Sequence, residues 1–138
     1  MSSIKVMSTR APEPGAAYAH AVISGGLVFV SGVDPRRKGS AVIPGVVQDG
    51  EGNVLSYDFA LQCKAAFQNL KFILEDAGSS FDKLLDVTVY LKSFKRDAKA
   101  FEMLWTEICG SIQPTRTVVE VSQFRFPIAI ELKAIARS

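Results

Sequence analysis

Histidine is almost missing from this chain: His20 stands alone among 138 residues. Cysteine is nearly as scarce, with only Cys63 and Cys109, and no Cys-x-x-Cys spacing occurs. That donor poverty excludes an ordinary zinc or other transition-metal site. Two cysteines are also too few for a disulfide framework and read as reduced, cytosolic thiols. Long hydrophobic runs are absent. The most apolar stretch, residues 21–33, is interrupted by Ser24, Gly25, Gly26, Ser31 and Gly32. It falls short of the roughly 20 apolar residues that a membrane helix needs. The start, Met1 to Met7, has no apolar stretch of the signal-peptide kind. A cytoplasmic protein with no membrane partner is the expectation. Charge of neither sign dominates: 16 Lys and Arg against 14 Asp and Glu leave +2. A dedicated nucleic-acid binder usually concentrates basic residues, so nucleic acid is not an expected partner.

What is present is an ordinary globular composition, 48% hydrophobic and 22% charged, which excludes disorder. The length suits one domain spanning residues 1–138. Such a chain buries roughly two thirds of its unfolded surface without staples. Strands are expected at Ile4 to Ser8, Tyr18 to Ser24 and Leu27 to Ser31, the last two joined by Gly25-Gly26. Residues 34–53 read mostly as a long polar loop, with a short strand conceivable at Ile43 or Val46-Val47. From Asp58 to Ala77, Phe59, Cys63, Ala66, Phe67, Leu70, Ile73, Leu74 and Ala77 recur at helical steps. Asp58 suits the N-cap and Gly78 the stop. Leu84 to Lys92 reads as a buried strand, Asp97 to Cys109 as a second helix, and Thr115 to Phe124 and Ile128 to Ala136 as closing strands. This order predicts an α+β fold, one mixed sheet of about six strands with two helices on one face. The other face then lacks cover, which favours an oligomer.

Strand alternation places Arg116, Val118, Glu120 and Ser122 on one face and Thr117, Val119 and Val121 on the other. The second set reads as the core face, so Arg116 projects away from the core near the strand start. Its planar guanidinium suits a carboxylate ligand. A surface ion pair with Glu120 or Glu131 is the alternative. Glu131 lies within an apolar strand, where a carboxylate can have a raised pKa and serve as acid or base. A salt bridge with Lys133 or Arg116 is the alternative there. Ser31-Gly32, at a strand end, offers a hydroxyl and backbone N–H groups for an oxyanion. An ordinary turn explains it equally well. His20, Cys63 and Cys109 read as packed residues rather than catalysts. Phe101 and Trp105 read as core or interface aromatics. Arg36, Arg37 and Lys38 form either a solvated loop or one that closes over an anion.

Taken in order, Ala17-Tyr18, Phe29-Val30-Ser31-Gly32, Glu75-Asp76-Ala77-Gly78, Asp86-Val87-Thr88-Val89-Tyr90-Leu91, Pro114 to Val121 and Ile130 to Ala136 resemble the Rid (YjgF) family. Asp34 to Arg37, Gly45 to Asn53, Lys95-Arg96-Asp97 and Pro127 to Lys133 are similar to its 2-aminomuconate deaminase-like branch. The resemblance implies a fold like trimeric chorismate mutase and a homotrimer with clefts between subunits. It further implies that Arg116 holds a substrate carboxylate and that Glu131 orients water or moves a proton. Ser31 and Gly32 would line the pocket and Tyr18 would close it. Where the family pattern has asparagine, tyrosine and a reactive cysteine, this chain has Glu102, Trp105 and Val118. The implied activity is cofactor-independent hydrolysis of an enamine or imine of a small carboxylate, with release of ammonia. The sharpest form takes 2-aminomuconate, whose second carboxylate would meet Arg36, Arg37 or Lys133. Phe101, Glu102, Trp105 and Val118 complete the expected substrate-binding set. A general 2-iminobutyrate or 2-aminoacrylate deaminase and a non-catalytic carboxylate-binding protein are the alternatives.

Overall fold

A computed structural model describes residues 2–138. Eight strands and two α-helices follow one another: β1 (Ile4–Val6), β2 (Ala21–Ser24), β3 (Leu27–Val33), β4 (Val46–Gln48), β5 (Val54–Tyr57), α1 (Phe59–Asp76), β6 (Leu84–Leu91), α2 (Phe94–Cys109), β7 (Thr115–Glu120) and β8 (Ile130–Arg137). Six strands form one mixed sheet in the order β1-β2-β3-β8-β6-β7, and β4 and β5 pair as a separate hairpin. Every pairing in the large sheet is antiparallel except β6 with β7, which α2 connects in parallel.

Local chemistry explains most boundaries. Gly25 and Gly26 have φ of 60° and 79°, the left-handed pair that a tight hairpin turn requires. The Asp58 carboxylate accepts from Leu61 N and opens α1. Beyond its end, Gly78 and Ser79 N–H groups donate to Glu75 and Leu74 carbonyls, closing the last turn. Ser93 caps α2 by accepting from Arg96 N, so this helix begins at Phe94, a turn earlier than periodicity predicts. The long segment 34–53 is less irregular than its composition implies. β4 lies within it and pairs with β5 just beyond its end, where Val54 and Leu55 are exposed and Tyr57 Oη donates to the buried Asp97 carboxylate at 2.7 Å.

The helices cover one face of the sheet. Val28, Val30, Val87, Val89, Leu91, Ile130, Leu132, Ala134 and Ala136 meet Phe59, Cys63, Ala66, Phe67, Leu70, Leu74 and Phe101 in a single apolar cluster. Facing them, β6 aligns Val87 with Arg116 and Ala134, and Val89 with Val118 and Leu132. Arg116 and Val118 therefore lie on the helix side, and Val118 packs against the core. This reverses the face assignment drawn from β7 alone. Thr117 and Val119 align with Thr88 and Tyr90 on the open face instead, and Val119 is exposed. An edge strand mixes polar and apolar residues on both sides, so its neighbour's register decides which side is the core.

Candidate active site

Arg116 stands at the start of edge strand β7, above α2. Its guanidinium carbon lies 5.1 Å from the Trp105 ring centre and 5.6 Å from that of Phe101, within cation–π range. The Glu102 carboxylate accepts from Arg116 Nη1 at 2.7 Å. Four of the expected residues, Arg116, Phe101, Glu102 and Trp105, are thus one cluster, with Val118 two positions along the same face. Phe101 is buried and Trp105 half-buried, so the aromatic pair forms a fixed floor while the guanidinium edge stays accessible.

Glu131 belongs to a second cluster on the opposite face of the sheet. It aligns with Tyr90 across β6 and lines a cleft of about 320 Å³ with Gly32, Tyr90, Gln123, Phe124 and Lys133. Its approach to the backbone depends on a bulge. The pairing of β3 with β8 runs Val30 to Ala134 and then Val33 to Leu132, so Ser31 and Gly32 together oppose Lys133. A Cβ on Gly32 would collide with Glu131 Oε1, so glycine is what admits the carboxylate. Burial raises the Glu131 pKa above the usual carboxylate range; Asp34 adds to the rise and Arg36 opposes it. Lys133 donates to Val30 O at 2.7 Å, which keeps its ammonium beside this cleft.

A third, water-sized crevice adjoins through Gly32 and is lined by Tyr18, Ser31, Asp34 and Arg36. Ser31 Oγ donates to Ala19 O and its N–H to His20 O, so its donors are engaged by the backbone. Tyr18 is exposed, its hydroxyl accepting from Gly15 N. Arg36 is bound by the Asp34 carboxylate at 2.8 and 3.0 Å and lies on the Phe126 ring. It stiffens the loop. Arg37 lines a groove on the outer side of α1 with Arg10, Lys38 and Lys64. Arg36 is near enough to Glu131 to oppose the rise in its pKa but does not line its cleft, and Arg37 belongs to neither the Arg116 nor the Glu131 cluster. Two positioning residues escaped the sequence reading because they look like helix-surface polar groups. Buried Gln62 Oε1 accepts from Ala129 N at the entrance to β8, and buried Asn69 Nδ2 donates to Asp34 O and Arg36 O. Only their places on the buried stripe of α1 hinted at them.

The remaining titratable candidates are occupied or suppressed. His20 is buried, with Nδ1 accepting from Ser8 N and Nε2 against Pro12 O. Burial pushes the thiols of Cys63 and Cys109 up to about 12. Neither should react with a thiol-specific disulfide reagent at pH 8 in the native protein, and both should react after unfolding. Rapid native labelling of either would contradict this placement.

Glu131→Gln gives a second measurable consequence. A carboxyl whose folded pKa is raised contributes full stability below the unfolded value and loses it as pH rises through the folded value. Relative to wild type, Glu131→Gln should gain stability as pH rises from below the ordinary carboxylate value to above it, with denaturant midpoints as the measure. A difference independent of pH would show that Glu131 is no more desolvated folded than unfolded.

The comparisons with known proteins agree with this architecture. The family model described as Endoribonuclease L-PSP matches residues 8–138. A RutC family protein of Pyrococcus abyssi is 33% identical over 136 residues, covering 99% of this chain and 98% of its own. Protein HMF1 of Saccharomyces cerevisiae is 27% identical, covering 95% and 92%. Among solved structures, the Escherichia coli YjgF gene product superposes with a TM-score of 0.78 at 26% identity, covering 97% of this chain and 98% of that one. Escherichia coli TdcF with bound serine gives a TM-score of 0.83 at 24% identity, covering 98% of each. The chain belongs to this L-PSP family, also called the Rid or YjgF family. Among the described residues, no helix is long and apolar enough to cross a membrane.

Proposed function

We propose that the protein is a deaminase hydrolysing the imine or enamine of a small carboxylate. The observation that carries the reading is the pairing of two resources on one sheet: an aromatic-backed guanidinium at Arg116 and a carboxyl of raised pKa at Glu131. In this reading Arg116 grips the substrate carboxylate and holds the adjoining carbon for attack. An enamine first takes a proton on carbon and becomes an iminium. Water then adds to the C=N carbon as Glu131 receives its proton. Transfer of that proton to nitrogen lets the C–N bond break, and a keto acid and ammonium leave. An iminium is already electrophilic, so no cofactor is needed.

Because the two groups occupy opposite faces, no single chain presents both to one substrate. The open face carries exposed Phe29 and Val119, a surface suited to a second copy. We therefore place the reaction in a homotrimer, with β7 of one copy brought against the Glu131 cleft of the next, in the cytoplasm. The narrower substrate within this reading is 2-aminomuconate, supported by Lys133 as a second cation beside Glu131. The test is ammonium release from 2-iminobutyrate, 2-aminoacrylate and 2-aminomuconate, each generated in the assay. Acceleration with any of them supports the deaminase. Release from the dicarboxylate alone supports the narrower form. No acceleration with any, alongside measurable carboxylate binding, would turn the reading to a binding protein.

A further inference from the structure

We propose that Glu102 is a built-in competitor for the carboxylate subsite and sorts nitrogen-bearing ligands from their keto counterparts. The inference rests on the reading of Arg116 given above and adds a role for its partner. The ion pair is asymmetric. The Arg116 side chain is 29% exposed and lies against two aromatic rings, whereas that of Glu102 is 54% exposed. The guanidinium is thus the fixed member and the carboxylate the movable one. Glu102 engages only Nη1; Nη2 and Nε have no side-chain partner among the described residues. At rest the subsite is close to neutral, and an arriving carboxylate must either expel Glu102 or share the guanidinium with it.

Sharing favours one ligand class. An α-iminium acid carries N–H donors one carbon away from its carboxylate. With that carboxylate on the free edge of Arg116, its N–H can donate to Glu102, and the charges alternate around the group. The keto acid left after hydrolysis has a carbonyl oxygen in that place. Its lone pairs face an anion, so Glu102 returns to Arg116 as the product leaves. The same feature disfavours any ligand that brings a second acceptor next to the bound carboxylate.

Calorimetric titration with two stable ligands tests this. 2-Aminobutyrate carries the nitrogen donor and 2-oxobutyrate does not. Wild type should bind the amino acid more tightly. Glu102→Gln should bind 2-oxobutyrate about fivefold more tightly than wild type, as expected for removing a partly exposed ionic competitor, and should lose most of the preference for nitrogen. Glu107→Gln removes a carboxylate from the same helix that makes no ion pair among the described residues, and should leave the preference intact. An unchanged ratio of affinities in Glu102→Gln, with both ligands lost in Arg116→Ala, overturns the role of Glu102 and leaves the carboxylate site standing. Wild-type binding of both ligands by Arg116→Ala, or no binding by wild type, overturns the underlying reading instead.

Discussion

Arg116→Ala is expected to lower kcat/KM for imine hydrolysis about a thousandfold, the scale of removing one partner from a desolvated charge pair worth roughly 4 kcal/mol. Most of that loss should fall on kcat if the guanidinium aligns the reacting carbon, and on KM if it only captures the substrate. Arg116→Lys should recover little, since an ammonium offers a point charge where the site has a planar fork over two rings. Folding should change little in either variant, because the ion pair with Glu102 is largely solvated. Wild-type turnover in Arg116→Ala, measured as ammonium release, would remove the guanidinium from the mechanism.

Particular residues show why some of this was legible in the chain and some was not. The stripe from Phe59 to Ala77, with Asp58 before it and Gly78 after it, carries its own period and caps, and α1 appears where they place it. Gly25-Gly26 marks its turn in the same local way. β7 is different. Thr117, Val119 and Val121 are a more apolar set than Arg116, Val118, Glu120 and Ser122, so alternation read from β7 alone points to the wrong face as the buried one. The answer lies in Val87 and Val89, nearly thirty residues earlier, which pair with Arg116 and Val118. The expectation that Arg116 points away from the core failed for that reason. β5 was missed because Val54 to Tyr57 is short, exposed and set in a polar segment. The contact of Glu102 with Arg116 joins a helix to a strand across the parallel crossover, where no spacing rule applies. For Glu131 the apolar strand left two readings open, a desolvated carboxyl or a salt bridge with Lys133 or Arg116, and burial against the Ser31-Gly32 bulge, which alternation cannot show, favours the first.

Opposite faces have a consequence that a one-chain site would not share. Arg116→Ala and Glu131→Gln should each be inactive alone, yet mixing them should restore turnover. Suppose each cleft draws Arg116 from one copy and Glu131 from the next. With equal amounts redistributed at random, the first position carries an intact Arg116 in half the clefts and the second an intact Glu131 in half. About a quarter of the clefts are then complete, and activity should return to about a quarter of wild type. Co-expression, or unfolding and refolding of the two together, ensures that the copies are mixed. If both residues served the same substrate from within one chain, every cleft would lack one of them and no mixture would recover. Gly32→Ala offers a check on the Glu131 half of the cleft. Its new methyl would collide with the Glu131 carboxylate rather than with backbone, so it should behave like Glu131→Gln and be rescued by Arg116→Ala. Rescue of Glu131→Gln without rescue of Gly32→Ala would mean that the bulge at Ser31-Gly32 supports the fold rather than the carboxylate. Failure of both, with assembly intact by light scattering, would mean that no cleft combines Arg116 of one copy with Glu131 of another.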